Sequence, residues 1–191
     1  FVPILCDAIR QRKIDVRCST EEFWNPSTNY AIIHFQWPEE VVGWNCHDPL
    51  VVRRLEEQIA HFRSTGTRFI YTRHNSRPPN GNKVIDRVYD VIELNSDVVV
   101  HMSAFGHREF AEFHPAIRSV IIPHHLYEHT YKEDISTERA RQKLLLPQGA
   151  FIVATFGKYQ NHQEARLTVD GFRRVPISPK FLLAPRLYPF S

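Results

Sequence analysis

The sequence predicts an α/β protein built around a doubly wound, mostly parallel sheet. Helical and strand patterns alternate along nearly the whole chain of 191 residues, and this alternation is typical of parallel strands joined by crossover helices. Some strand patterns, such as 97–102, are also continuously apolar. Strands of that kind are buried on both faces, so the sequence favours a sheet covered by helices.

Apolar periodicity and turn residues divide the chain into elements. The predicted helices cover 2–13, 49–65, 83–94, 103–113 and 136–145, with a last one that ends near 175. The predicted strands cover 14–18, 30–36, 67–72, 97–102, 118–122, 150–157 and 181–184.

The first elements follow from simple spacing rules. Val2, Leu5 and Ile9 recur at helical spacing and predict the first helix. The alternating stretch 14–18 then predicts a short strand, and the apolar run 30–36 predicts another.

The helix over 49–65 has clear start and stop signals. Asp48-Pro49 places an acidic N-cap before a proline at the first helical position, and Gly66 ends the helix. The later helices are read in the same way, with Ser103 as the cap of the helix that ends at Phe113.

The pattern restarts after a His- and Tyr-rich loop. A strong apolar strand over 150–157 ends in glycine and is followed by a helix and a final strand. We therefore expect a first domain over 1–123, a linker over 124–135, and a second α/β unit over 136–191 that is cut short. Two strands with two helices bury little core, so the second unit is expected to lean on the first.

The overall charge excludes some classes of function. The formal net charge of +3 arises from 24 basic and 21 acidic residues, an excess too small to indicate nucleic-acid binding. Three cysteines without metal-like spacing indicate reduced thiols.

The chain also lacks targeting signals. No apolar run reaches the ~18–20 residues of a membrane span, and the first residues do not resemble a signal peptide. We expect a cytoplasmic protein, with peripheral contact at the inner membrane face as an option. The absence of an initiator methionine suggests an excised fragment.

Polar, histidine-bearing loops follow two of the predicted strands. Arg73, His74 and Asn75 end the strand over 67–72, and His34 ends the strand over 30–36. Carboxyl ends of parallel strands meet at one sheet edge, where ligands bind. The two loops are therefore expected to form one site.

Each of these residues also has a structural interpretation. His74 could simply finish its strand, and His34 could be a packed strand-end histidine. Trp37 could anchor its loop in the core or stack on a sugar, with Glu39 solvated beside it. A metal site at His124 and its histidine neighbours is not expected, because no carboxylate or thiol set accompanies them.

Taken in order, several segments resemble one enzyme family. They are His34-Phe35-Gln36-Trp37-Pro38-Glu39, Tyr71-Thr72-Arg73-His74-Asn75, Asn95-Ser96-Asp97, Ile122-Pro123-His124 with Tyr127 and Tyr131, and Phe156-Gly157 before a helix. Together they resemble the retaining GT-B glycosyltransferases of the family 4-like group, most of all those of bacterial polysaccharide assembly. The resemblance covers the acceptor domain and the start of the donor domain.

The resemblance implies transfer of a sugar from a UDP- or GDP-linked donor to a saccharide or lipid-linked acceptor, with no metal and no other cofactor. It implies that His74 approaches the sugar and phosphates as the catalytic residue. The implied acceptor-side residues are Asn75, Arg73, His34, Trp37 and Glu39. The implied linker residues are His124 and Tyr127, and the implied donor-phosphate residues are Gly157, Lys158, Gln160 and Gln163.

The chain departs from the family pattern on the donor side. Gln160 and Gln163 occupy the positions of an arginine and a lysine that hold the diphosphate, and an amide adds no charge. Lys158, His162 or Arg166 could substitute, and the helix after Gly157 could bind phosphate by its backbone N–H groups. The family's first strand with its Gly-rich turn and its Glu-containing donor motif are not in the chain, so these residues alone are expected to be inactive.

Three other functions stay open at this point. One is an epimerase or phosphorylase on the same fold, although no segment indicates a pyridoxal-binding lysine. Another is a degenerate GT-B module that binds glycans or partner proteins without catalysis, which the two glutamines favour. A receiver-like module fits least, because it needs an acidic cluster at the strand ends.

Overall fold

The computed structural model describes residues 2–78, 81–124, 135–157, 159 and 161–187. Residue contacts divide the chain into two compact units, Phe1–His125 and Leu126–Ser191, called the first and second unit below. The strands are β1 (Ile32–Phe35), β2 (Arg68–Arg73), β3 (Val98–His101), β4 (Ser119–Ile121), β5 (Phe151–Ala154) and β6 (Lys180–Leu183). The helices are α1 (Val2–Gln11), α2 (Thr20–Trp24), α3 (Pro38–Val42), α4 (Leu50–Ser64), α5 (Lys83–Leu94), α6 (Ala104–Phe113), α7 (Thr137–Lys143) and α8 (His162–Arg174).

The first unit is an α/β fold with a four-stranded parallel sheet in the order β1-β2-β3-β4. The predicted class, α/β with a parallel sheet, is confirmed and is consistent with a Rossmann-like fold. In a doubly wound sheet the strand order reverses at one point. In the part of the chain that the structure describes, strand order follows chain order, so double winding stays a prediction.

The two faces of this sheet have different surroundings. Successive residues of a strand point to opposite faces, so Phe69, Tyr71 and Arg73 of β2 share one face. Phe69 and Tyr71 are fully buried there. Thr72 of β2 and His34 of β1 lie on the other face, where they contact each other. The candidate site is therefore built on the face opposite the core.

Helices α4, α5 and α6 supply most of the remaining core. Among its largest fully buried side chains are Leu55, Phe62, Ile92 and Phe110. Burying a side chain of this kind contributes roughly 1.5–3 kcal/mol to stability. The core thus holds the strands in place, and the strands in turn position the loops at their carboxyl ends.

Side-chain caps determine where two of these helices begin. The Asn82 side-chain oxygen accepts hydrogen bonds from the backbone N–H groups of Val84 and Ile85, at 3.0 and 3.4 Å. The Ser103 hydroxyl accepts from Gly106 at 3.2 Å, as the sequence predicted. Each cap satisfies N–H groups that have no partner inside the helix.

The predicted strand over 14–18 is wrong. No strand is present there, and Ile14 is 57% exposed. A short alternating stretch becomes a strand only when a neighbour offers backbone hydrogen bonds and a face to bury. The short helices α2 and α3 were not predicted, because five residues are too few to show helical periodicity.

In the second unit, β5 and β6 form a parallel pair. Asn161 caps α8 by accepting from the Glu164 N–H at 2.9 Å. Gly157 follows β5 with φ +94°, a backbone conformation that glycine adopts without steric cost. Helix α7 and both strands lie where the sequence predicted them. Within the residues described in both units, no helix has the length and apolar character needed to cross a bilayer.

Candidate functional site

A chain of hydrogen bonds joins the carboxyl ends of β1 and β2. His34 Nε2 lies 2.8 Å from the Thr72 hydroxyl and 2.9 Å from Gln36 Nε2. The other end of the Gln36 amide, Oε1, lies 3.0 Å from His74 Nε2. The structure therefore brings together the two histidines that the sequence assigned to one site, and it links them through Gln36.

An aromatic row adjoins this chain. The rings of Trp37 and His74 stack with centroids 4.2 Å apart and an interplanar angle of 10°. Trp44 is tilted against Trp37 at 6.0 Å, and it is 54% exposed. Stacking covers one face of Trp37 and holds the His74 ring in place, whereas Trp44 presents aromatic surface to solvent.

Asn75 and Glu39 meet at Tyr89 of α5. The Tyr89 hydroxyl donates to Glu39 Oε1 at 2.7 Å and also hydrogen-bonds with the Asn75 side chain. Burial and the bond to Glu39 raise the pKa of Tyr89 well above its usual value, so it stays a neutral donor. These bonds tie the loop after β2 to the short helix α3 that follows β1.

The expectations for Glu39 need correction. Glu39 is 3% exposed, so it is neither solvated nor placed to contact an acceptor directly. Its second carboxylate oxygen has no hydrogen-bond partner in the described part of the chain. We assign Glu39 to the support of the Asn75 loop.

Arg73 also has a different role from the predicted acceptor contact. Its Nε lies 3.0 Å from Glu93 Oε1 and its Nη1 lies 2.8 Å from Glu109 Oε2. The Arg73 side chain is only 10% exposed. Strand alternation directs Arg73 to the face that carries α5 and α6, opposite to Thr72, and there it anchors the end of β2.

Both histidines of the site are neutral at pH 7. Burial, followed by the nearby His74, lowers the pKa of His34 from its usual 6.5 to about 4. Burial and then the charge of His124 lower the pKa of His74. A neutral imidazole has one donor nitrogen and one acceptor nitrogen, so each ring can contact a hydroxyl group without adding charge.

The lowered pKa of His34 predicts a pH dependence of stability. Between pH 6.5 and about 4 the unfolded state binds more protons than the folded state, so the free energy of unfolding falls as pH falls through this window. Burial also lowers the pKa of His101, so His101 adds to the same decline. For His34 alone, the free energy of unfolding falls by about 3 kcal/mol at most.

Urea unfolding of the wild-type chain and of His34→Gln at several pH values from 7 to 4 checks this prediction. The variant should show a shallower decline, with the contributions of His74 and His101 remaining. His61→Gln, at an exposed histidine, should keep the wild-type slope. Equal slopes for the wild type and His34→Gln would contradict the prediction.

The predicted linker and donor residues are only partly described. Tyr127, Lys158 and Gln160 lie outside the described residues. His124 is exposed and acts on His74 through its charge. Gln163 is exposed on the first turn of α8.

The second unit has a cavity of about 330 Å³ beside Gly157. The residues that line it are Thr155, Phe156, Gly157, Tyr159, Glu164, Leu167 and Thr168. No basic side chain is among these described lining residues, and Glu164 contributes a carboxylate.

Sequence reasoning missed three residues of this region, Gln36, Trp44 and Tyr89. Period-two alternation could have found Gln36, because it follows His34 by two residues and so shares its side of the strand. Tyr89 had no comparable signal, since its place beside Asn75 depends on how α5 packs.

A scan against models of known protein families finds none that matches this chain, and a search of curated proteins finds no match either. The assignment to a family stays a prediction that depends on the motifs. Within the described residues, no group of three or more His, Cys, Asp or Glu side chains is placed to hold a metal ion.

Proposed function

We propose that this chain forms the acceptor side of a retaining GT-B glycosyltransferase and the beginning of its donor side. The enzyme would transfer a sugar from a UDP- or GDP-linked donor to a saccharide or lipid-linked acceptor. One observation carries the proposal: His74 is held between Gln36 and Trp37 at the sheet edge where parallel α/β folds bind ligands.

The side chains around His74 suit a carbohydrate. Neutral imidazole and amide groups form hydrogen bonds with hydroxyl groups as both donors and acceptors. The exposed indole of Trp44 offers an apolar surface to the C–H face of a sugar ring. Sites for small ligands combine apolar surface with a few placed polar groups in this way.

Retaining transfer does not require a strong nucleophile from the protein. The acceptor hydroxyl attacks the anomeric carbon on the face from which the diphosphate leaves, and its proton passes to the departing phosphate oxygen. The protein has to hold the sugar and stabilise the developing charges. In this proposal His74 is the group that approaches the sugar and phosphates.

The donor side supports the proposal less strongly. Gly157 and the N-terminus of α8 follow β5 as expected for a phosphate-binding turn, but Gln160 and Gln163 add no positive charge there. We therefore expect these 191 residues to bind nucleotide sugars weakly and to transfer none measurably. A coupled assay that measures the release of UDP or GDP from UDP-sugars or GDP-sugars checks this expectation. Release above the protein-free rate would contradict it.

A second candidate is a glycan- or partner-binding module without catalysis. The two glutamines at the positions of the family's arginine and lysine, Gln160 and Gln163, favour it, because a catalytic donor site has to neutralise a diphosphate. Calorimetry of the complete gene product with UDP, GDP and their sugars separates the two candidates. Nucleotide binding together with transfer supports the glycosyltransferase, and the absence of nucleotide binding supports the module.

A further inference from the structure

We propose that Gln36 is a positioning residue that holds His74 in its Nε2–H tautomer and makes His74, not His34, the member of the pair that takes up a proton. The tautomer itself follows from local geometry. Its use in sugar transfer rests on the proposed function.

The argument begins with the two ends of the Gln36 amide. The nitrogen end only donates, and it lies 2.9 Å from His34 Nε2. The oxygen end only accepts, and it lies 3.0 Å from His74 Nε2. With the amide in this orientation, His34 Nε2 carries a lone pair and His74 Nε2 carries a hydrogen.

Thr72 is compatible with the arrangement, and Trp37 reinforces it. The Thr72 hydroxyl, 2.8 Å from His34 Nε2, can donate or accept and so fits either tautomer of His34. The Trp37 ring, stacked on His74 at 4.2 Å, limits rotation of the His74 ring out of the plane in which Nε2 meets Gln36. One amide and one indole thus both act on the tautomer and the orientation of His74.

The same geometry makes the two histidines unequal as bases. A proton on His34 Nε2 would face the amide N–H of Gln36, whereas protonated His74 keeps its Nε2–H bond to Gln36 Oε1. The charged or titratable groups that influence these rings include His34 and His74 themselves and, beside His74, His124 and the N-terminal amino group. The geometry at Gln36 thus favours His74 over His34 as the ring that titrates first as pH falls.

Nitrogen-15 NMR of the imidazole rings in the ¹⁵N-histidine-labelled chain tests the proposal, because it reports which ring nitrogen carries hydrogen. His34→Gln and His74→Gln identify the two sets of signals. Wild-type protein should show a protonated Nε2 on His74 and an unprotonated Nε2 on His34. On lowering the pH, His74 should titrate before His34.

Substitutions of Gln36 sharpen the test. Gln36→Glu replaces the donor end by a carboxylate, so His34 Nε2 should become protonated and the pKa of both rings should rise by about 1–3 units. Gln36→Leu removes both bonds and should leave His74 as a mixture of tautomers. Gln11→Glu, at an exposed glutamine that ends α1, adds the same charge and should change neither ring.

Two results would overturn the proposal. One is the opposite wild-type pattern, with hydrogen on His34 Nε2 and none on His74 Nε2. The other is an unchanged tautomer of His74 in a folded Gln36→Leu protein. The wild-type spectrum decides the first point even if a variant fails to fold. None of these measurements uses a nucleotide sugar, so failure of the glycosyltransferase proposal and failure of this one are separate results.

Discussion

Replacing Glu93 by glutamine is expected to lower the free energy of unfolding by about 3–5 kcal/mol. Glu93 is fully buried, and its carboxylate lies 3.0 Å from Arg73 Nε and 3.2 Å from Arg77 Nη1. His114 Nε2 lies 3.8 Å from it. Glutamine keeps the shape but leaves the Arg73 charge buried with less compensation, and removal of one partner from a buried ion pair is strongly destabilising.

Asp90→Asn is the matched control, because Asp90 pairs with the same Arg77 at 2.8 Å but both side chains are 44% exposed. An exposed pair contributes about 0–1 kcal/mol. Urea unfolding of the two variants and the wild type measures the difference. Equal unfolding midpoints for Glu93→Gln and Asp90→Asn would show that the Glu93 cluster does not stabilise the first unit.

Replacing His74 by alanine is expected to lower sugar-transfer turnover by about 100-fold or more, in whichever length of the gene product shows the activity. An electrostatic partner of the transition state is typically worth this much. The loss should appear mainly in kcat if the His74 imidazole acts on developing charge. Initial rates of nucleotide release over a range of donor concentrations measure both parameters.

His61→Ala provides the histidine control, since His61 is exposed on α4. Its ring hydrogen-bonds with the Pro26 carbonyl and meets the Phe62 ring edge to face. Thermal unfolding of both variants checks that each one folds. Unchanged turnover in folded His74→Ala would reduce His74 to a strand-end residue that packs on Trp37.

The strands were predictable because their signals are local. Apolar runs such as Phe69-Ile70-Tyr71 and Val98-Val99-Val100 mark buried strands wherever they occur, and β2 and β3 lie there. The stretch 14–18 instead alternates apolar and polar residues; it has no neighbouring strand and stays outside the sheet. A pattern of apolar residues describes what a segment can bury, but not whether another segment comes to cover it.

The candidate site was predictable in part for a similar reason. Parallel strands bring their carboxyl ends to one edge, so His34 and His74 were expected together, and they are joined through Gln36. The burial of Glu39 was not predictable. It depends on the position of Tyr89 in α5, fifty residues away along the chain.

The sequence by itself determined the α/β class, the positions of the strands, and the sheet edge at which polar loops meet, because these follow from local periodicity and from the geometry of parallel strands. Only the tertiary structure decided which neighbours join the candidate site and which anchor the fold. Arg73 and His74 are adjacent in sequence, yet Arg73 reaches Glu93 on the helix-covered face while His74 meets Gln36 and Trp37. The physical reason is that alternation along the strand sends neighbouring side chains to opposite faces, and that α5 and α6 place carboxylates beside Arg73.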